Sequence, residues 1–350
     1  MSKYLLVKGV AGLGNRIFVV ITAILYARMT DRTLVVDWTD NAYTTRKANV
    51  FPQLFELKNL SHVDQIIESE SVHPNVWKHC LDQAISEVMA NDSKLVKAMG
   101  QGIFRKYACD VRRLNYSEDI VIASGYDEEI EDLRPHFKSE YAHLKKATKG
   151  TIANEVFYEH LNLAPPVRDR LETFKAAHMQ GHKFIGIHIR QSDKSVSYGW
   201  YKKALAEHVG RYPDAHIFLA TDNRNVECEI NELYENVIVL DKWLPMPGVA
   251  VHKNTECPDL EEHAVTALLD ICLLATCDYL IFSRTTSFGR LASYISTQPV
   301  SQHFDIETYY DQHRKSIGER AIILRNKIDR NVKYVLAWLR LKGILPHRRS

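Results

Sequence analysis

Between residues 184 and 296 the chain alternates short apolar runs with longer helical patterns, and this alternation constrains the fold more than any other feature. Apolar runs at 184–189, 215–220, 237–240 and 279–283 read as strands. The segments 199–211, 225–235, 259–277 and 287–296 carry helical periodicity between and after them. Strands regularly separated by helices of this length predict a parallel sheet with helices on both faces. In an open sheet of that kind, ligands bind at the carboxyl ends of the strands.

Those strand ends are where the polar side chains collect. The first run, FIGIHI, delivers His188, Arg190, Asp193 and Lys194. Period-2 alternation puts His188 and Arg190 on one side of the strand and Ile189 on the other. A guanidinium offers five donors in a fixed fork suited to phosphate; the plainer reading is a satisfied histidine beside an arginine salt-bridged to Asp193. The second run ends in Asp222 and Asn223, which suit ribose hydroxyls or simply open the next helix. The last run turns into a helix at Thr285, Thr286 and Ser287. Hydroxyls and backbone N–H groups at a helix N-terminus make an anion site, and the same residue types make a helix cap. Asp270 lies within the apolar run LLDICLL, where a carboxylate is costly unless paired. It suits the N1–H and amino group of a guanine, or a local basic partner. The whole set describes a crevice for an anionic, nucleotide-sized ligand.

The first half opens with a βαβ unit: a strand over Tyr4 to Val10, a helix over Ile17 to Met29 and a strand over Thr33 to Trp38. Between the first two lies Gly12-Leu13-Gly14-Asn15, the opening of a dinucleotide fingerprint, with Asp37 as its ribose-binding acid. The third glycine position holds Ile17, which removes the tight helix–strand packing of that motif. A tight turn into a helix is the other reading. From 41 to 150 the pattern loosens: a helix over Leu81 to Met89, a strand over Asp119 to Ser124, and an acidic stretch at 127–132 that reads as solvated surface. Helices are predicted over Tyr141 to Leu161 and Val167 to Met179. At 350 residues the chain has room for two domains. We divide it into an N-terminal α/β domain (1–178), a C-terminal Rossmann-like domain (179–312) and a tail (313–350).

Several classes are disfavoured. With 45 Lys and Arg against 43 Asp and Glu, no overall positive field draws the chain to nucleic acid. Six cysteines without a CxxC pair disfavour a disulfide framework and favour a reducing compartment. No D-x-D pair closes a strand and no His/Cys cluster has metal-ligand spacing, so no metal site is expected. The N-terminus lacks a secretory pattern and no apolar run reaches the length of a membrane span, which gives a cytoplasmic expectation. The tail at 331–350 is basic and amphipathic, with Val332, Val335, Leu336 and Leu339 at helical spacing. It is a candidate for peripheral attachment to the inner face of a membrane; a helix packed on the domain is the other reading.

Across its length the chain resembles the GT-B fucosyltransferases, and among them the α1,6-fucosyltransferase group. GLGNRIF, RTLVVDW and NVFPQLFEL are similar to the N-terminal part of the bacterial members. HIRQSDK resembles the HxRxxDK donor motif, FLATDN the acidic motif after it, and LLDICLLATCDYLIFSRTTSFGR the nucleotide-contacting motif. The resemblance implies two Rossmann-like domains facing across a cleft, and an inverting, metal-free transfer of L-fucose from GDP-fucose to an oligosaccharide or lipid-linked glycan. It further implies that Arg190 holds the β-phosphate and is catalytic, and that His188 and Asp270 read guanine. Asp222, with Asn223 beside it, contacts the donor, Thr286 and Ser287 touch the pyrophosphate, and Asp193 and Lys194 shape the donor site. Gly12, Gly14 and Asn15 form a loop at the cleft. Gln191 stands where the animal enzymes have a second arginine, and Tyr198 where they have a proposed carboxylate base. The general base is therefore open, with Glu207 and His263 as candidates. Related linkages (α1,2 or protein O-fucosylation) fit the same donor motifs. A nicotinamide-dependent oxidoreductase built on Gly12, Gly14 and Asp37, and a silent sugar-nucleotide binder, are the readings from other classes.

Overall fold

The computed structural model describes residues 2–40, 42–45, 48–90, 105–191, 197–244 and 256–308. The tail at 313–350, with the membrane reading of 331–350, lies outside them. In the first half the order is β1 (Tyr4–Lys8), α1 (Leu13–Thr30), β2 (Thr33–Asp37), α2 (Phe51–Leu54), β3 (Phe55–Leu57) and β4 (Val72–His73). Then come α3 (Ile85–Ala90), β5 (Ile120–Ala123), α4 (Ile130–Leu133), α5 (Lys149–His160), β6 (Leu161–Leu163) and α6 (Pro165–His178). The second half runs β7 (Phe184–Ile189), α7 (Tyr198–Arg211), β8 (His216–Thr221), α8 (Arg224–Leu233) and β9 (Val237–Ile238). It closes with α9 (Leu260–Thr276), β10 (Tyr279–Phe282), α10 (Ser287–Ile295) and β11 (His303–Asp305).

Two parallel sheets result, in the orders β2-β1-β5-β4 and β11-β10-β7-β8-β9. A short antiparallel pair, β3 with β6, stands apart. Chain order reverses beside β1 in one sheet and beside β7 in the other. Each reversal sends successive crossovers to opposite faces and opens a crevice at the strand ends. Alternation decides which face each strand residue serves. Ile185, Ile187 and Ile189 pack with Tyr201 and Leu205 of α7, while Phe184 joins a larger core on the opposite face.

That larger core crosses between the halves. It unites Ile17, Phe18, Ile21 and Ile24 of α1 with Ile152 and Val156 of α5, Leu268 and Ile271 of α9, and Leu291 and Ile295 of α10. Burying each of these side chains contributes roughly 1.5–3 kcal/mol. Helix α1 is long and apolar enough to cross a membrane by length and composition, yet 78% of it is buried inside the protein. A helix flanked by a sheet and by α5 and α10 needs apolar residues all round, which explains its composition without a bilayer.

Three readings of the sequence need correction. Tyr141 to Leu161 is not one helix: a 3-10 segment, Ser139–Lys146, ends at Ala147, and Thr148 caps α5 by accepting the N–H of Thr151. The strands β3, β4, β6 and β11 are not expected from the sequence, because two or three residues are too short to show a period. The acidic stretch at 127–132 is not solvated surface: Glu128 is buried, as are Ile130 and, further on, Leu133.

Candidate active site

The carboxyl ends of both sheets face one cleft of about 770 Å³. From the second sheet, β7 brings His188 and Arg190 and β8 brings Asp222. The turn after β10 brings Thr286 and Ser287, and α9 contributes Asp270. The first sheet brings Gly12 after β1 with the first turn of α1, so that Gly14 and Asn15 reach the cleft from a helix rather than a loop, and it brings Tyr126–Asp127 after β5. The two topological switch points therefore oppose each other across the cleft.

His188 is only 5% exposed and its ring stacks on Phe288, centroids 4.7 Å apart and planes 18° from parallel. Burial, reinforced by the charges of Arg190 and Lys242, pushes its pKa down to about 3. The imidazole is thus neutral; its Nδ1 lies 3.4 Å from the buried Thr286 hydroxyl, which leaves Nε2 for the cleft. Arg190 lies with its Nε 3.9 Å from Asp222 Oδ2, and Asp222 Oδ1 accepts the N–H of Gln191 at 2.9 Å. Asp222 thus orients the fork without closing a tight ion pair on it.

At α10 the cap reading is realised. Thr286 is buried, donates its hydroxyl to the Ser283 carbonyl at 2.9 Å and accepts the Gly289 N–H at 3.4 Å. Its hydroxyl is committed inside the protein, while the helix N-terminus lines the cleft. Ser287 donates to Asn15 Oδ1 at 2.8 Å, and the Asn15 amide donates in turn to the Tyr126 carbonyl. A Cβ on Gly14 would lie 2.8 Å from the Ser287 carbonyl carbon. Glycine stands there because two halves of the molecule meet backbone to backbone, a role unrelated to a cofactor phosphate.

Asp270 has a partner that sequence reasoning missed. Lys242 pairs with its Oδ2, both side chains almost wholly buried, while Oδ1 has no partner among the described residues. Burial pushes this carboxyl up and Lys242 pulls it back part of the way. Beside them His263, Trp243 and Tyr43 form a ring cluster. Lys242 follows a strand end, as Arg190 and Asp222 do. The strand over 237–240 is expected from the sequence, but nothing along the chain marks the lysine two residues beyond it as a partner for Asp270.

The second missed group is opposite. Asp127 and Glu128 follow β5, and Arg290 of α10 pairs with Asp127 while reaching Glu128 at 3.5 Å. Lys149 of α5 holds Glu128 at 3.0 Å. Burial first, then the neighbouring Asp127, raises the Glu128 carboxyl; for Asp127, burial is outweighed by the hydrogen bond with Glu128 and the charge of Arg290, which leave it lowered.

Other residues fall elsewhere. Asn223 accepts the N–H groups of Asn225 and Val226 as the cap of α8 and does not line the cleft. Asp193 and Lys194 lie outside the described residues. Glu207 is on the exposed face of α7 and Tyr198 opens that helix against its core; neither lines the cleft. Asp37 is buried in an ion pair with Lys8, whose ammonium also donates to the Leu81 carbonyl. The acid needed by the oxidoreductase reading is therefore engaged in the core.

No protein-family model matches the chain. Nodulation protein Z of Azorhizobium caulinodans is 23% identical over 322 residues, spanning 85% of this chain and 89% of that protein. A solved structure of NodZ α-1,6-fucosyltransferase soaked with GDP-fucose superposes with a TM-score of 0.58 at 20% identity, covering 85% of this chain and 93% of the other. A point variant of Arabidopsis thaliana FUT1 in complex with GDP gives 0.56 at 16% identity, covering 85% and 70%. Along most of its length in sequence, and in fold, the chain is similar to GT-B fucosyltransferases, nodulation protein Z among them.

Proposed function

We propose that the protein transfers L-fucose from GDP-fucose to a hydroxyl of an oligosaccharide or lipid-linked glycan, with inversion, without a metal, and with α1,6-type linkage. The observation that carries this reading is the convergence of Arg190 and the N-terminus of α10 at the switch point of the second sheet, opposite the first sheet across the cleft. A leaving diphosphate needs fixed positive charge where its own charge grows. Arg190 supplies a bidentate cation, and the α10 N-terminus supplies oriented N–H groups and the positive end of a helix dipole. Neutral His188 and the Asp270 oxygen that has no partner among the described residues suit the nucleoside: an acceptor oxygen for amino and ring N–H groups, and an imidazole nitrogen for a ribose hydroxyl. The second sheet would hold the donor and the first the acceptor.

The test is a thermal-shift panel with GDP, GDP-fucose, UDP, NAD and NADP, with and without EDTA. A ligand that binds only the native state raises the melting temperature. The reading predicts shifts with GDP and GDP-fucose that EDTA leaves intact; shifts with NAD or NADP alone would overturn it. Arg190→Ala should abolish transfer and weaken GDP binding by about 1.5–3 kcal/mol, the worth of a charge-assisted contact, with an unchanged melting point of the free protein. Near-normal turnover would remove Arg190 from the site.

A further inference from the structure

We infer that Asp127 is the general base of the transfer, an assignment that rests on the fucosyl-transfer reading above. Four described carboxylates line the cleft: Asp40, Asp127, Asp222 and Asp270. Asp222 and Asp270 belong to the donor side, where Asp222 holds the Gln191 N–H and lies beside Arg190, and Asp270 holds Lys242. Asp40 is 12% exposed and bound to the buried guanidinium of Arg16 at 2.7 Å. Asp127 alone of the four combines a place on the first sheet with real access: its side chain is 44% exposed.

Its position follows from the seam between the halves. Arg290, which grips Asp127 Oδ1, lies four residues after Thr286, on the same face of α10 and one turn from the helix N-terminus. The carboxylate therefore reaches the cleft from the first sheet, one helical turn from the helix end proposed to hold the diphosphate. Inverting attack needs a base on the face of the sugar away from the leaving group. The charged and titratable groups around it are Arg290 on α10, Glu128 on its own loop, Lys149 on α5 behind Glu128, and Tyr294 at the far end of α10. Arg290 and Glu128 both favour the ionised form of Asp127, so it meets the acceptor unprotonated.

In the step, the acceptor oxygen bonds to C1 of fucose as Asp127 takes the hydroxyl proton. The bond from C1 to the β-phosphate oxygen breaks, its electron pair leaves with GDP, and Arg190 balances the new charge. The protonated Asp127 then returns its proton to water in the open cleft.

The experiment measures GDP release from GDP-fucose by the full chain, with water as acceptor. Asp127→Asn should slow release about 10²–10⁴-fold, the usual contribution of a positioned base, with GDP binding and melting temperature unchanged. Azide needs no deprotonation, so sodium azide should restore release in Asp127→Ala and yield fucosyl azide. Arg290→Gln keeps the carboxylate but removes its positive neighbour, so the acidic limb of the pH–rate profile should move to higher pH. Near-wild-type release by Asp127→Asn, or a loss that azide leaves unrestored, would overturn the assignment. Should Asp127→Asn fail to fold, the Arg290→Gln profile decides, an unmoved acidic limb counting against it. Wild-type protein that neither binds GDP nor releases it from GDP-fucose would instead sink the transferase reading itself.

Discussion

Two buried groups of the cleft carry most of what individual residues decide. Lys242 and Asp270 form an ion pair with side chains 7% and 5% exposed. Removing one partner of such a pair leaves an uncompensated charge, which costs about 3–5 kcal/mol, whereas removing both is often neutral. Lys242→Met should therefore lower stability in urea unfolding by about that much, and the double change with Asp270→Leu should recover most of it. His188 decides a pH dependence. Its pKa is held at about 3 in the folded protein against about 6.5 in an unfolded chain. Between those values the unfolded state binds the extra proton, so its contribution to stability is complete above pH 6.5 and is lost as pH falls towards 3. His263, pushed down to about 4 by burial and Lys242, adds to the same slope. Melting temperature followed across that window should fall less steeply in His188→Gln than in the wild type; equal slopes would place His188 in water.

Helix α10 does two jobs at the level of elements. Its apolar face, with Leu291 and Ile295, joins the shared core, and its first turn meets α1 at Gly14 and Asn15. A Gly14→Ala change tests that meeting, because helix propensity and packing pull in opposite directions. Alanine favours the helix by up to about 1 kcal/mol, but its Cβ would sit 2.8 Å from backbone. Overpacking of that kind costs roughly 1–3 kcal/mol and nothing flexible is there to yield. We expect a net loss of melting temperature and weaker GDP binding; a more stable variant would show that the seam gives way easily. The long elements were legible in sequence because burial imprints a period on them: β7, β8, α9 and α10 lie within a residue or two of their expected bounds. The error at 141–161 has a local cause: Thr148, three residues before Thr151, is a cap signal that the apolar pattern overran.

At the scale of the molecule, two sheets are joined through one apolar core that runs from α1 to α10. Such a core has no plane along which the halves separate without exposing it. Calorimetry should therefore give a single cooperative transition, shifted upward as a unit by GDP. Two resolved transitions, with only one moved by GDP, would mean that the halves unfold independently.

The sequence alone determined the parallel α/β architecture and the strand ends that carry His188, Arg190, Asp222 and Thr286, since hydrophobic period and strand direction are local properties. Tertiary structure decided which polar groups meet. Asp127 finds Arg290 across 163 positions of chain and Ser287 finds Asn15 across 272. Asp270 finds Lys242 across 28 positions, in the loop after β9. An acidic run reads as solvated surface until a distant arginine is folded against it. Desolvation and charge pairing depend on neighbours in space, and no pattern along the chain records them.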